Sequence, residues 1–220
     1  MNILIIITPF SPAQDPNTIR WTELATHFKN QGHTIHVLTT KRKAYKDFTT
    51  QNGIFIHRTG YHTLLDWLYN IIGQKNRRHE PGYTAPNPFY RSRFIQKIVD
   101  YFWRRNYWPD GQVLFLKPGI KKGKQLVESQ SIDQIISVGA PFTSHWIAHA
   151  LKTNYAQLKW HMDIQDPFSY AKASQINNNR KYDQRNMASE ASCFDKATTI
   201  SVPFEKSAER YRHFFSRHHS

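Results

Sequence analysis

Asn2 to Thr8 is an unbroken apolar run, the pattern of a parallel strand buried on both faces. Asp15 can cap a helix that begins with Pro16, and Ile19, Leu24, Ala25 and Phe28 then recur at helical spacing. Gly32 stops that helix, and Thr34 to Thr40 resumes a β-rich run. A helix between two such strands calls for a right-handed crossover and a parallel sheet. Past a turn at Asn52-Gly53, Ile54 to Arg58 reads as a third strand. Thr63 to Ile72 and Phe89 to Trp108 read as helices, separated by a polar, proline-containing loop from Gln74 to Pro88. Residues 112–129 form a weaker helical stretch, interrupted at Pro118-Gly119. The alternation then returns: strand Ile132 to Val138, helix Thr143 to Leu151, strand Leu158 to Ile164, helix Asn177 to Phe194, strand Ala197 to Val202, helix Glu205 to Phe215.

These elements predict an α/β fold over residues 1–220: one doubly wound, Rossmann-like domain with a mainly parallel sheet and a helical, basic and aromatic insertion at 61–131. Open parallel sheets bind ligands beyond the carboxyl ends of their strands. The loops after the first and fourth parallel strands are therefore the first candidates for function.

Charge sharpens the picture. Thirty Lys and Arg against 16 Asp and Glu leave a net charge of +14, which favours an anionic partner. Cys193 is the only cysteine, so neither an intrachain disulfide nor a cysteine-based zinc site is expected. No secretory signal and no run of 18 apolar residues is visible, so the expected location is cytoplasmic. The basic and aromatic insertion, with Trp67, Leu68, Arg91, Arg93, Trp103 and Arg104, suits peripheral contact with an anionic membrane at its inner face. It equally suits core packing with a solvated basic face. Nucleic acid is a weaker candidate, because no recognition motif accompanies the basic residues.

The first loop, Thr8-Pro9-Phe10-Ser11-Pro12, has no glycine, which removes both the dinucleotide fingerprint and the P-loop; no cofactor is expected. The helix that follows can still offer N–H groups to an anion, with Asn17 at its start and Arg20 a turn in. Arg20 fits a solvated helix position as well. Gly139, Ala140, Pro141, Thr143 and Ser144 form the second loop, where small residues admit a ligand and Thr143 or Ser144 can cap the next helix. Period-2 alternation puts His161 and Asp163 on one face near a strand's carboxyl end, and Asp166-Pro167 opens the loop beyond. His161, Asp163 and Asp166 are the candidates for acid, base or hydroxyl-binding roles, although Asp166 also suits a simple turn. His145 and His149 share a helix face, but no third ligand accompanies them and no metal site is expected.

Several stretches together carry a resemblance. MNILIIITPFSP with PNTIRWTELATHFKNQGHTIHVLTT, then IDQIISVGAPFTSHWIAHALK, LKWHMDIQDPF and FDKATTISVPF, resemble in order the amino-terminal domain of family-4 glycosyltransferases of the GT-B fold. Gln165 and Phe168 stand where relatives often carry Arg and Trp around Asp-Pro, and the paired glycines common in the first loop are missing. Pro16-Asn17-Thr18-Ile19-Arg20 suits the branch that builds cell-surface polysaccharides. The resemblance implies two facing domains, this one holding the acceptor, with Pro9, Phe10, Ser11, Asn17, Arg20 and residues 139–144 along the cleft. It implies retaining transfer from a nucleotide-diphosphate sugar to a sugar or lipid-linked hydroxyl acceptor. The donor-binding domain would lie outside these residues, so the expected chain is inactive alone: a truncated product, or a subunit whose donor domain is a separate chain. The alternative is a basic binding module that keeps only the fold.

Overall fold

The computed structural model describes residues 1–42, 45–62, 101, 106–170, 176–177 and 179–216. In chain order the elements are β1 (Asn2–Ile6), α1 (Pro16–Asn30), β2 (Thr34–Lys41), β3 (Phe48–Gln51), β4 (Ile54–Tyr61), α2 (Val113–Ser129), β5 (Gln134–Val138), α3 (Thr143–Asn154), β6 (Lys159–Asp163), α4 (Asn179–Lys196), β7 (Thr199–Ser201) and α5 (Glu205–Ser216). They build the expected α/β domain on a seven-stranded sheet of order β3-β4-β2-β1-β5-β6-β7. Every pairing is parallel except β3 with β4. The chain leaves β1 toward β2 on one side and takes up β5 on the other, which puts the topological switch point at the carboxyl ends of β1 and β5.

The apolar run of β1 serves both faces. Leu4 and Ile6 join a core with Phe115, Ile135, Ile147, Leu151, Trp160 and Met162. Ile3, Ile5 and Ile7 join a separate core with Trp21, Ala25, Ile35, Val37, Ile136 and Val138. Helix α1 covers this second face with Trp21 and Ala25, one turn apart, while Ile19 points away and is 56% exposed. Its ends follow the sequence. Asp15 caps the start, and Gly32, at φ +85°, closes a Schellman turn through Gly32 N–H to Lys29 O (3.0 Å) and His33 N–H to Phe28 O (3.2 Å).

Three differences from the sequence reading bear on the site. Asn52 and Gly53, at φ 50° and 77°, form a hairpin turn, and Phe48–Gln51 pairs antiparallel with β4 as an edge strand that the pattern does not predict. The expected break at Pro118-Gly119 does not occur, and Val113–Ser129 is one helix with Pro118 inside. Gly119 and Gly123 instead bring α2 against α3: a Cβ at Gly119 would stand 2.5 Å from Ile147, and one at Gly123 2.7 Å from Leu151. The last part of segment 61–131 is therefore the crossover helix between β4 and β5, packed on the core that Leu4 and Ile6 share. Trp67, Leu68, Arg91, Arg93, Trp103 and Arg104 lie outside the described residues. Among the described residues no helix is long and apolar enough to cross a membrane.

Candidate functional site

At the switch point the loops after β1 and β5 leave the carboxyl ends of two neighbouring parallel strands. Pro9 and Asn17 are half-buried, whereas Phe10 and Ser11 are buried at 3% and 9% exposure. Phe10 packs into the core beneath α1. Ser11 donates its hydroxyl to Gln51 Oε1 (2.6 Å), and its carbonyl accepts from Arg58 Nη2 (2.6 Å), so the edge hairpin braces the loop. Thr18 Oγ1 donates to the Pro9 carbonyl (3.1 Å) and ties the loop to α1.

In the loop after β5, Ala140 and Pro141 are half-buried, and Gly139, Thr143 and Ser144 are buried. Thr143 is a structural anchor. Asp110 accepts its backbone N–H and its hydroxyl, both at 2.7 Å, together with the Gln112 N–H at 2.9 Å. Asp110 is buried, which pushes its pKa up; every partner donates to it, the pattern of an ionised carboxylate. Its neighbours are fixed by α4 and the residue Asn177 just before it: Asn177 Nδ2 donates to the Pro109 carbonyl (2.7 Å), Trp108 Nε1 donates to Asn186 Oδ1 (3.0 Å), and the Arg185 guanidinium stacks 3.7 Å over the Trp108 ring. Beneath the loop, Trp160 Nε1 donates to Ser137 Oγ (2.8 Å), which leaves the Ser137 proton for His145 Nδ1 (2.7 Å). The neutral His145 ring thus carries its proton on Nε2, against Gly139, where any Cβ would stand 2.3 Å away. Burial pulls the His145 pKa down to about 3, so the ring stays neutral.

His161 and Asp163 do share a face, together with Arg20, in a groove of about 480 Å³ between α1 and strands β5 to β7. Asp163 is a junction there. Its carboxylate takes the Trp21 indole N–H (3.0 Å), the Ser201 hydroxyl (2.7 Å), the Arg20 guanidinium and the Gln165 amide. Because Ser201 donates to Asp163, His161 Nε2 donates to Ser201 (3.0 Å), and Thr199 supplies the hydrogen bond at Nδ1 (2.8 Å). Burial lowers the His161 pKa, with the Asp163 charge opposing. Asp166 is exposed and stands outside this network. His145 and His149 do not converge: His149 Nε2 meets Ser192 Oγ at 2.9 Å, while His145 turns to Ser137. Among the described residues no group of three His, Cys, Asp or Glu side chains could hold a metal ion.

A further polar cluster stands at the carboxyl ends of β1, β2 and β4. Thr8 Oγ1 and Thr40 Oγ1 are 2.8 Å apart, and His62 Nδ1 is 3.3 and 3.2 Å from them. His62 is not a candidate on sequence grounds, because it falls in the segment read as inserted. The signal that finds it is a threonine at the end of each of two paired central strands, with β4 ending one residue before His62.

No protein-family model matches the sequence, and no curated protein matches it. Among solved structures, sucrose-phosphate synthase from Thermosynechococcus elongatus superposes with a TM-score of 0.61 at 12% identity, over 96% of this chain and 44% of that one. The chain shares the fold of the superposed part of that structure. The chain spans less than half the length of that relative, and at this identity the likeness is one of fold.

Proposed function

We propose that this chain is the acceptor-binding half of a retaining glycosyltransferase, which moves a sugar from a nucleotide-diphosphate sugar to a hydroxyl in the synthesis of a cell-surface polysaccharide. One observation carries the reading: nearly the whole chain is superposed on less than half of a sucrose-phosphate synthase. The crevice at the switch point supports it, because its two loops are braced from behind by Arg58 and by Asp110. Glycosyl transfer needs an acceptor held in line and a stabilised leaving diphosphate. The first task falls to loops 9–17 and 139–144 with the Thr8–Thr40–His62 cluster. The second falls to a donor domain outside these residues, in the same protein or in a separate chain. Asp163, with four donors on its carboxylate, positions α1 against β6 and β7. His161 and Asp166 retain only the acid–base role that the sequence suggests. The basic charge supports cytoplasmic work at the inner face of a membrane, where a lipid-linked acceptor sits.

The test is transfer from radiolabelled nucleotide sugars by the purified chain, alone and together with the products of adjoining genes. A third sample carries the chain together with any further domain of its own gene; transfer only in a sample that adds a donor domain is the expected result, and transfer by the chain alone, or in none of the three, overturns the reading. The net charge of +14 favours a second reading, a binding module for anionic membrane or nucleic acid. Salt-sensitive binding to anionic liposomes or oligonucleotides, without any transfer, would select it.

A further inference from the structure

Asn52 alone among the asparagines of this chain is followed by a glycine. Both residues are exposed and form the two-residue tip of the β3–β4 hairpin, at φ 50° and 77°. Among the described residues the Asn52 side-chain amide has no hydrogen-bond partner, and the Gly53 N–H donates to no group. The electrophilic Cγ of Asn52 and the next backbone nitrogen are therefore both unengaged, and no side chain at residue 53 blocks their approach. A cation stands beside them. A Cβ at Gly53 would lie 3.0 Å from Lys29 Cε and 3.7 Å from Lys29 Nζ, and no acid among the described residues pairs with that ammonium. The strand that leads into the turn is a four-residue margin paired on one side only, so the tip opens at small cost.

We propose that Asn52-Gly53 is a site of spontaneous deamidation and isomerisation, promoted by the Lys29 ammonium. The Gly53 nitrogen bonds to Asn52 Cγ and gives up its proton, the Cγ–Nδ2 bond breaks, and ammonia departs to leave a five-membered succinimide. Water then opens the imide at either carbonyl. One opening gives aspartate at 52; the other gives isoaspartate, in which the main chain runs through the former side chain. The sum is amide plus water to carboxylate plus ammonia, with no outside oxidant or reductant. Lys29 favours both the nitrogen anion that attacks and the carboxylate that results. The chain carries a second glycine-following candidate, Asp110-Gly111, and the fold silences it: that carboxylate is buried and holds the Thr143 N–H, the Thr143 hydroxyl and the Gln112 N–H.

The isoaspartyl form adds one backbone carbon between Gln51 and Ile54, which pair across the turn. Gln51 Oε1 receives the Ser11 hydroxyl (2.6 Å), and Arg58, whose N–H donates to Asp47 O (2.7 Å) across the same hairpin, holds the Ser11 carbonyl. Isomerisation at the tip therefore loosens the brace on the loop after β1, irreversibly and with the age of the chain. This holds whatever ligand the crevice takes.

The test incubates the full chain at mildly alkaline pH. It follows the tryptic peptide 47–58, whose only asparagine is Asn52, by mass and by enzymatic methylation of isoaspartate. Acid at position 52 should accumulate about tenfold faster than at any other asparagine of the chain, because only here does the next residue lack a side chain. Lys29→Gln should slow it about two- to fivefold, the effect of one solvated charge. The isoaspartyl chain should exchange its Arg58 amide faster than the unaltered chain does. Asn52→Asp, which carries the charge on a main chain of ordinary length, should not. Conversion in urea but not in the folded chain overturns the proposal, because the turn would then protect the amide. A rate at Asn52 no higher than at Asn30 or Asn154 overturns it as well. An unchanged rate in Lys29→Gln overturns the part given to Lys29, and unchanged Arg58 exchange in the isoaspartyl chain overturns the loosened brace.

Discussion

The Trp21 indole N–H donates to the Asp163 carboxylate at 3.0 Å, joining the first helix to the sixth strand across 142 residues of sequence. Arg20, Gln165 and Ser201 converge on the same carboxylate, so one buried side chain fixes α1 relative to β6 and β7. Replacing it with alanine leaves the indole N–H and the Ser201 hydroxyl without their acceptor. Asp163→Ala should cost about 1–3 kcal/mol, the range for stranding buried donors, reduced because Arg20 is partly solvated. Urea unfolding checks this, and an unchanged midpoint would show that the junction is dispensable.

Asp110 acts on the crevice through Thr143 rather than by facing a ligand. Asp110→Ala should lower stability by about 2–4 kcal/mol, since it removes a helix cap and strands buried N–H groups. Hydrogen exchange at the Thr143 amide should speed up more than exchange in the middle of α3. Equal acceleration along the whole helix would mean that the carboxylate holds the fold and not the loop.

His57 is stacked against His36, and burial, with His36 and Lys122 adding to it, lowers its pKa to about 4. Between pH 6.5 and 4 the unfolded chain takes a proton at this position that the folded chain refuses. Its contribution to stability is complete above pH 6.5 and falls as pH drops toward 4. His57→Gln removes that term. The stability difference between the variant and the unaltered chain should therefore shift in the variant's favour through this window, by at most about 1.4 kcal/mol per pH unit. Parallel curves in denaturant melts at several pH values would refute the assignment.

Gly119→Ala sets two effects against each other. Helix propensity favours alanine by about 1 kcal/mol. Against that, the new methyl would stand 2.5 Å from Ile147, which is fully buried and has no solvent to move into. Overpacking of this kind costs about 1–3 kcal/mol, so a net loss near 1 kcal/mol is expected. In a chain of this size that lowers Tm by about 2–4 °C. A gain in Tm would mean that the interface between α2 and α3 has slack.

The β1–α1–β2 unit was legible because its signals are local: an apolar run, an Asp-Pro helix start and a glycine at the helix end. The shared face of His161 and Asp163 was legible for the same reason, since alternation along a strand is a near-neighbour property. Strand β3 was not, because Phe-Thr-Thr-Gln has only one apolar residue and is a strand only through its pairing with β4. Helix α2 is not legible through Pro118-Gly119, because a glycine that serves close packing looks, in sequence, like one that breaks a helix. Asp110 was invisible as a site residue: its partner Thr143 lies 33 positions away, and nothing in either segment announces the contact.

Both margins of the sheet are short. Among the described residues the outer strands are Phe48–Gln51 and Thr199–Ser201, with four and three residues, whereas β2 and β4 inside have eight. A neighbouring molecule that tried to extend the ribbon would find only a few backbone groups at either border, too few to seed a continuous ladder. The short margins are therefore a built-in guard against growth along the strands.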